Sequence, residues 1–435
     1  MALGWKPSVP FRMSRLKKSL AGSSWYISEK MVRLTGAFLV SAWVARYLGP
    51  EQFGTLAFAL SLVGMLGFLG SFGLESLVVR DLVQQPVHEG RIVAAYFALR
   101  LLGSFLVPPA ALLYVATMHP ADTGLLMVTA VISTGVIAAS LDVVDCFLQA
   151  RHQAKSTSLI RAGAFVIAAL AKCVLILVGA PLVWFACATV LEFVLIALAY
   201  RHVLAKHRIK LSPITANWGQ IRRLTRDGKA MILSGLTVII YSKIDALVVG
   251  EAISKQALAN YAIAVTMCGA WNMIGTSITQ AVAPHISAAK TAGREGYVML
   301  LRHFLATIAA LACAGSLALS LLSSWIFDFL LGPAYADGGA IFSVLVWSSV
   351  PVFLGVATSQ IIVNEHLYWL SLARTTIGMA ITTLLVFPVA TLYGTVGVAV
   401  LVVASSTIVA SGILISRTAR STLWSVCTGM TDGRS

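Results

Sequence analysis

Seven cations and five anions stand inside stretches of this chain that are otherwise too apolar for a soluble domain. The cations are Lys30, Arg33, Arg100, Arg161, Lys172, Lys243 and Arg374; the anions are Glu29, Asp142, Asp145, Glu192 and Asp245. An ionisable residue in a membrane span costs about 2.5–3.5 kcal/mol on insertion scales, so it normally faces protein or water rather than lipid. Spacing groups several of them. Lys30 and Arg33 are three apart and share a helix face. Asp142, Asp145 and Gln149 form one polar stripe. Arg161 and Lys172 are eleven apart, about three helical turns, and stack on one side of their helix. A cationic, water-filled cavity between two helix bundles would account for this excess of positive charge. Such a cavity suits an anionic substrate, and arginine suits phosphate because its planar fork binds in a bidentate way.

The elements that must position these charges are membrane helices. Of the 435 residues, 58% are apolar and 11% charged, against about 25% charged in a soluble domain. Mean hydropathy is +0.86. A spanning helix needs roughly 20 apolar residues, and twelve such stretches lie near 22–47, 54–74, 92–117, 123–149, 157–178, 181–203, 229–250, 258–284, 300–325, 338–362, 368–390 and 394–416. The start of the chain is basic and lacks the pattern of a cleaved signal peptide, which predicts a cytoplasmic N-terminus. Outside the spans, all the basic residues but Arg46 and Lys255 then fall on the cytoplasmic side, as the positive-inside rule requires. Both termini are expected there. The net charge of +15 reads as topology rather than as nucleic-acid binding.

The expected organisation is a basic segment 1–21, a first lobe 22–203, a basic linker 204–228, a second lobe 229–416 and a tail 417–435. The linker carries Trp218, Ile221 and Leu224 among Arg222, Arg223 and Arg226, which predicts an amphipathic helix lying on lipid headgroups. ARYLGPEQFGTLAFALS echoes DALVVGEAISKQALANYAIAV in the second half, and repeats of this kind place a transporter's substrate site between them. Pro108, Pro109, Pro284, Pro351 and Pro388 fall in or at the ends of spans and can kink them. Six cysteines show no metal-binding spacing. There is no GxxxxGK[ST] loop to bind ATP, and DVVD is spaced for a helix face rather than for chelation. No cofactor is expected.

Structural roles compete with functional ones at each charge. Lys172 can snorkel to the interface. Asp142 and Asp145 can cap their helix or pair with loop arginines. Lys243 and Asp245 lie close to the outer face. Arg100 and Glu192 sit at mid-membrane and can pair with each other.

The hairpin LVSAWVARYLGPEQFGTLAFALSLVG and the continuation GLESLVVRDL resemble the Wzx-type polysaccharide flippases of the multidrug/oligosaccharidyl-lipid/polysaccharide exporter superfamily. IIYSKIDALVVGE and FDFLLGPAYADGGAIFSVL resemble that family's seventh span and its loop between spans nine and ten. The resemblance implies an all-α integral membrane protein: twelve transmembrane helices in two six-helix bundles related by pseudo-symmetry, V-shaped like the multidrug exporters. It implies a protein that is not an enzyme and that moves oligosaccharide linked to undecaprenyl pyrophosphate across the bacterial cytoplasmic membrane by alternating access, with ion coupling. Lys30 and Arg33 match polar positions of the family's first span, and Asp245 matches the aspartate of its seventh. The expected substrate-binding set is Arg33, Lys30, Arg100, Arg161, Lys243 and Arg374; the expected ion-coupling set is Glu192, Asp245, Asp142 and Asp145. Expected partners are the lipid-linked oligosaccharide, the bilayer, a polysaccharide polymerase and a chain-length regulator, and no nucleic acid. A multidrug exporter of the same fold would favour an acidic cavity, a lipid II flippase would have fourteen spans, and a membrane glycosyltransferase or polymerase would need a large loop or a metal site.

Overall fold

A computed structural model of the chain describes residues 13–207, 218–365 and 367–416, with 420–421 and 423–425. The side chains of 13–35, 86, 154, 291–292, 294–295, 363 and 368 lie outside the described set. The described residues are helical almost throughout. In chain order the helices are α1 (Met13–Leu66), α2 (Phe68–Ser71), α3 (Glu75–Gln84), α4 (Glu89–Met118), α5 (Thr123–Ala138), α6 (Val143–Ala150), α7 (Ala154–Val178) and α8 (Leu182–Lys206). They continue with α9 (Trp218–Asp227), α10 (Lys229–Ala252), α11 (Lys255–Ala292), α12 (Arg294–Leu330), α13 (Ala336–Leu345), α14 (Ser349–Asn364) and α15 (Tyr368–Ser411).

Ten helical stretches of the described residues are long and apolar enough to cross a membrane, against the twelve expected. The difference lies in two hairpins. α1 is broken at Gly49 (φ 74°, ψ 167°) and α15 at Gly394 (φ 64°, ψ −159°). Positive φ is open to glycine at little cost, so each break falls where no side chain opposes it. Ser41 and Ser61 line one cavity although a straight helix would hold them about 30 Å apart. Gly378 packs against Val409, and Arg374 against Gly412. Each long helix is thus two limbs folded against each other. In the first, Pro50 follows the turning glycine, where a missing N–H costs nothing.

Leu113, Leu177, Leu321, Leu384 and Leu392 are each at least 67% exposed, as lipid-facing side chains should be. Packing inside is close. α2 and α4 meet backbone to backbone at Gly103, where a Cβ would stand 1.6 Å from the Leu69 carbonyl oxygen. One buried cluster, with Leu77, Tyr96, Phe147 and Tyr200, belongs to the first half (α1–α8). A second, with Ile286, Leu301, Phe353 and Ile361, belongs to the second half (α10–α15). A third, with Ala45, Phe58, Tyr261 and Phe342, joins the two.

The linker helix α9 does not use its apolar face on lipid. Ile221 and Leu224 are buried in the first half's cluster, and only Trp218 stays exposed. The two aliphatic side chains find an existing apolar surface on the protein, which removes them from water without a headgroup region. Adding a methyl at Gly103 forces two backbones apart. Gly103→Ala is expected to lower stability by about 1–3 kcal/mol, read as a lower unfolding midpoint of the detergent-purified protein.

Candidate functional site

A cavity of about 220 Å³ lies between the halves. Both limbs of α1 contribute Ser41 and Ser61, α7 contributes Lys172, α8 Thr189, α10 Ser242, Lys243 and Asp245, and α11 Thr266. Asp245 is held in place: it accepts a hydrogen bond from the Tyr261 hydroxyl at 2.6 Å and from the Ala246 N–H at 2.8 Å. Lys243 stands near enough to Asp245, and Lys172 to Glu192, for electrostatic interaction. Among the described residues neither lysine forms an ion pair. The cavity therefore offers an ammonium group from each half, ringed by five hydroxyls. Thr189, Ser242 and Thr266 donate to carbonyls of their own helices, so the two ammonium groups are the charged donors that can take an oxyanion.

Lys172 was absent from the expected substrate set, yet it lines this cavity. Leu170, Val174 and Leu177 form the exposed stripe of α7, and Ala164 and Ala168 the buried one. Lys172 continues the buried stripe from Arg161 at helical spacing. The eleven-residue separation was the signal.

Of the arginines expected in the cavity, Arg100, Arg161 and Arg374 are elsewhere. Arg100 is buried in the first half, where its Nη1 donates to Glu75 Oε1 and to the Tyr96 hydroxyl, both at 3.4 Å. Its Nη2 donates to the Ala139 carbonyl at 3.0 Å and lies 3.9 Å from Asp142. It pairs with these groups and not with Glu192. Arg161 meets Asp145 at 3.1 Å and Asp142 at 3.7 Å, and its Nε donates to Tyr200 at 3.3 Å. Asp142 and Asp145 therefore answer two arginines of their own half. Four residues of the expected sets form one internal charge network, because charges largely withdrawn from water are favoured when paired. Glu75 belongs to the GLE motif, and the rest of that motif supplies Leu77, Val78 and Leu82 to the core of the first half. Arg374 lies inside the second half, buried, away from both the network and the cavity. Lys30 and Arg33 lie outside the described side chains.

A larger cavity of about 720 Å³ also lies between the halves, but Val63, Phe68, Ile132, Val136, Ile239 and Leu372 among its lining residues make it apolar rather than the hydrated cationic space expected.

Polar contacts between the halves cluster at one end of the molecule. Lys255 meets Asp122, which also caps α5 through Leu125 N–H at 2.9 Å. Glu251 accepts from Tyr114 at 2.7 Å and meets His119 Nε2 at 2.9 Å. Tyr335 donates to the Ala45 carbonyl at 2.7 Å. Gly54 lets the Lys255 backbone pass where a Cβ would be 1.9 Å from its carbonyl oxygen. At the opposite end, contacts such as Gly73 on Gly235 and Leu74 on Gly228 are apolar. His119, Asp122, Glu251 and Lys255 fall in short linkers of the sequence, where nothing marks one turn as the neighbour of another far along the chain.

This architecture recurs in solved transporters. The lipid II flippase MurJ in an inward closed conformation superposes with a TM-score of 0.74 at 12% identity, covering 94% of each chain. An inward-facing multidrug resistance MATE family transporter of the MOP superfamily gives 0.67 at 15% identity, covering 92% of this chain and 96% of that one. The fold is therefore that of this class of multi-pass membrane transporters. Residues 43–338 match the polysaccharide biosynthesis protein family, and the chain belongs to that family. A 209-residue region is 25% identical to the "Putative O-antigen transporter" of Escherichia coli (strain K12). That match covers 47% of this chain and half the length of its relative.

Removing one partner of the internal network leaves a buried charge alone. Arg161→Met is expected to cost about 3 kcal/mol, and Arg161→Met with Asp145→Leu to recover much of that loss. Thermal unfolding of the purified variants tests both.

Proposed function

We propose that this protein is a flippase that carries an oligosaccharide linked to undecaprenyl pyrophosphate across the bacterial cytoplasmic membrane for surface polysaccharide assembly. Membership of the polysaccharide biosynthesis protein family and the transporter fold support the class. The observation that carries the substrate reading is the inter-half cavity with Lys172 on one side and Lys243 on the other. In this reading the two ammonium groups and the surrounding hydroxyls hold the pyrophosphate, and the lipid tail stays in apolar surroundings. An unpaired lysine from each half couples the anion to both bundles, so binding favours the arrangement in which they converge. A drug cation would meet two like charges in the same place.

Transport then needs the cavity to open alternately to each side by rocking one half against the other. The Glu251–His119–Tyr114 and Lys255–Asp122 bridges form the closed gate on one side, which the positive-inside bias assigns to the periplasm. Asp245 and Glu192, each beside a cavity lysine, are the ion-coupling groups in this scheme. Protonating either removes a negative charge near its lysine and leaves the cavity more positive.

The test is complementation of a deletion strain, scored as surface polysaccharide with membrane levels of each variant measured. Lys172→Glu and Lys243→Glu are expected to reduce surface polysaccharide at least about tenfold at normal abundance, since each reverses a charge that contacts the substrate. Full activity of both variants overturns the site. Sensitivity of the deletion strain to toxic cations with intact polysaccharide would instead indicate a drug exporter. A second expectation concerns the gate. With Asp122→Cys and Lys255→Cys in an otherwise cysteine-free protein, a short thiol-specific cross-linker should form the bridge readily, and transport should stop until the bridge is cleaved.

A further inference from the structure

The apolar cavity of about 720 Å³ and the Lys172–Lys243 cavity are neighbours. Leu60 of α1 lines both. One helical turn further on, Gly64 lines the apolar cavity and lies beside the stem of Lys243, where a Cβ would stand 3.6 Å from Lys243 Cε. The two spaces thus adjoin at a residue that has no side chain to stand between them. Both halves wall the apolar cavity: Val63, Ile132 and Phe193 from the first, Met231, Val238 and Ile239 from the second. Only Ser71 and Ser234 among its lining residues carry a hydroxyl, and none is charged.

Hydrocarbon buried against such walls is stabilised, whereas a polar ligand would lose hydrogen bonds there. Position decides which hydrocarbon. In a lipid-linked pyrophosphate the chain is bonded directly to the anion. With the anion held between Lys172 and Lys243, the first chain carbons have to be housed beside those lysines. The apolar cavity is the uncharged space that adjoins Lys243. Ligand cavities of about 300–1,000 Å³ take small organic molecules. By size, therefore, this one takes the segment of chain nearest the anion rather than a whole polyprenyl chain.

We propose that the apolar cavity is a chain subsite: it binds the isoprenoid segment next to the pyrophosphate while Lys172 and Lys243 hold the anion. The inference rests on the flippase reading for the nature of the ligand. It moves the start of the chain from the bilayer into the protein, and it makes both halves contribute to chain binding as well as to anion binding.

Thermal unfolding of the purified full chain in phosphatidylcholine nanodiscs tests this. The probes are farnesyl pyrophosphate, inorganic pyrophosphate and farnesol at equal concentration. Farnesyl pyrophosphate is expected to raise the wild-type midpoint by about 4 °C, more than pyrophosphate and farnesol together. Ser234→Phe fills the apolar cavity, and Gly64→Leu closes the junction beside Lys243. Both should keep the smaller rise with pyrophosphate, which also shows that they are folded, and lose the extra rise with farnesyl pyrophosphate. Lys243→Gln should lose the pyrophosphate rise. If farnesyl pyrophosphate stabilises wild type no more than pyrophosphate does, or if either Ser234→Phe or Gly64→Leu keeps the full gain, the chain subsite is overturned while the anion site at the lysines stands. If farnesol alone produces the whole rise and Lys243→Gln leaves it unchanged, the cavity is a general cleft for membrane hydrocarbon and the proposal is overturned. No rise with any of the three probes overturns the anion site and this inference together.

Discussion

A charge in the low-dielectric interior of a membrane protein must be answered by something, and this structure is arranged around how each answer is made. Arg100 and Arg161 are answered within the first half by Glu75, Asp142 and Asp145, reinforced by the hydroxyls of Tyr96 and Tyr200. This ties α3, α4, α7 and α8 to the segment around α6. Lys172 and Lys243 line the cavity between the halves, near Glu192 and Asp245 respectively. A charge satisfied by its own helix bundle holds that bundle together.

The contacts between the halves follow the same physics. Where they carry charge, as at Glu251 with His119 and Lys255 with Asp122, both groups are about a quarter to a third exposed. Such pairs contribute modestly, because water competes for both partners. At the other end the halves meet through glycines and aliphatic side chains. Among the described residues no buried ion pair joins the halves.

The sequence motifs acquire physical roles in this setting. LGPEQFG is the turn of the first hairpin, and its Gly54 is the close-approach point for the Lys255 backbone across the molecule. The two stretches that echo each other in the sequence therefore meet in space. GLESLVVRDL supplies Glu75 to Arg100 and aliphatic side chains to the first core, a structural duty.

By itself the sequence determined the all-helical membrane architecture, because apolar runs of spanning length allow no other solution in lipid. It placed the hairpin turns, since glycine and proline mark the backbone geometry locally. It also put Arg161 and Lys172 on one side of a single helix, because helical periodicity is a property of spacing alone. Which cations face which anions was decided only by tertiary structure. Arg100 reaches Glu75 rather than Glu192, and Lys172 rather than Arg100 or Arg161 lines the shared cavity. Those choices depend on how helices far apart in the chain are rotated and packed. A rotation of 100° between neighbouring residues decides whether a side chain meets a carboxylate, a cavity or lipid, and no local pattern encodes the rotation of the helix opposite.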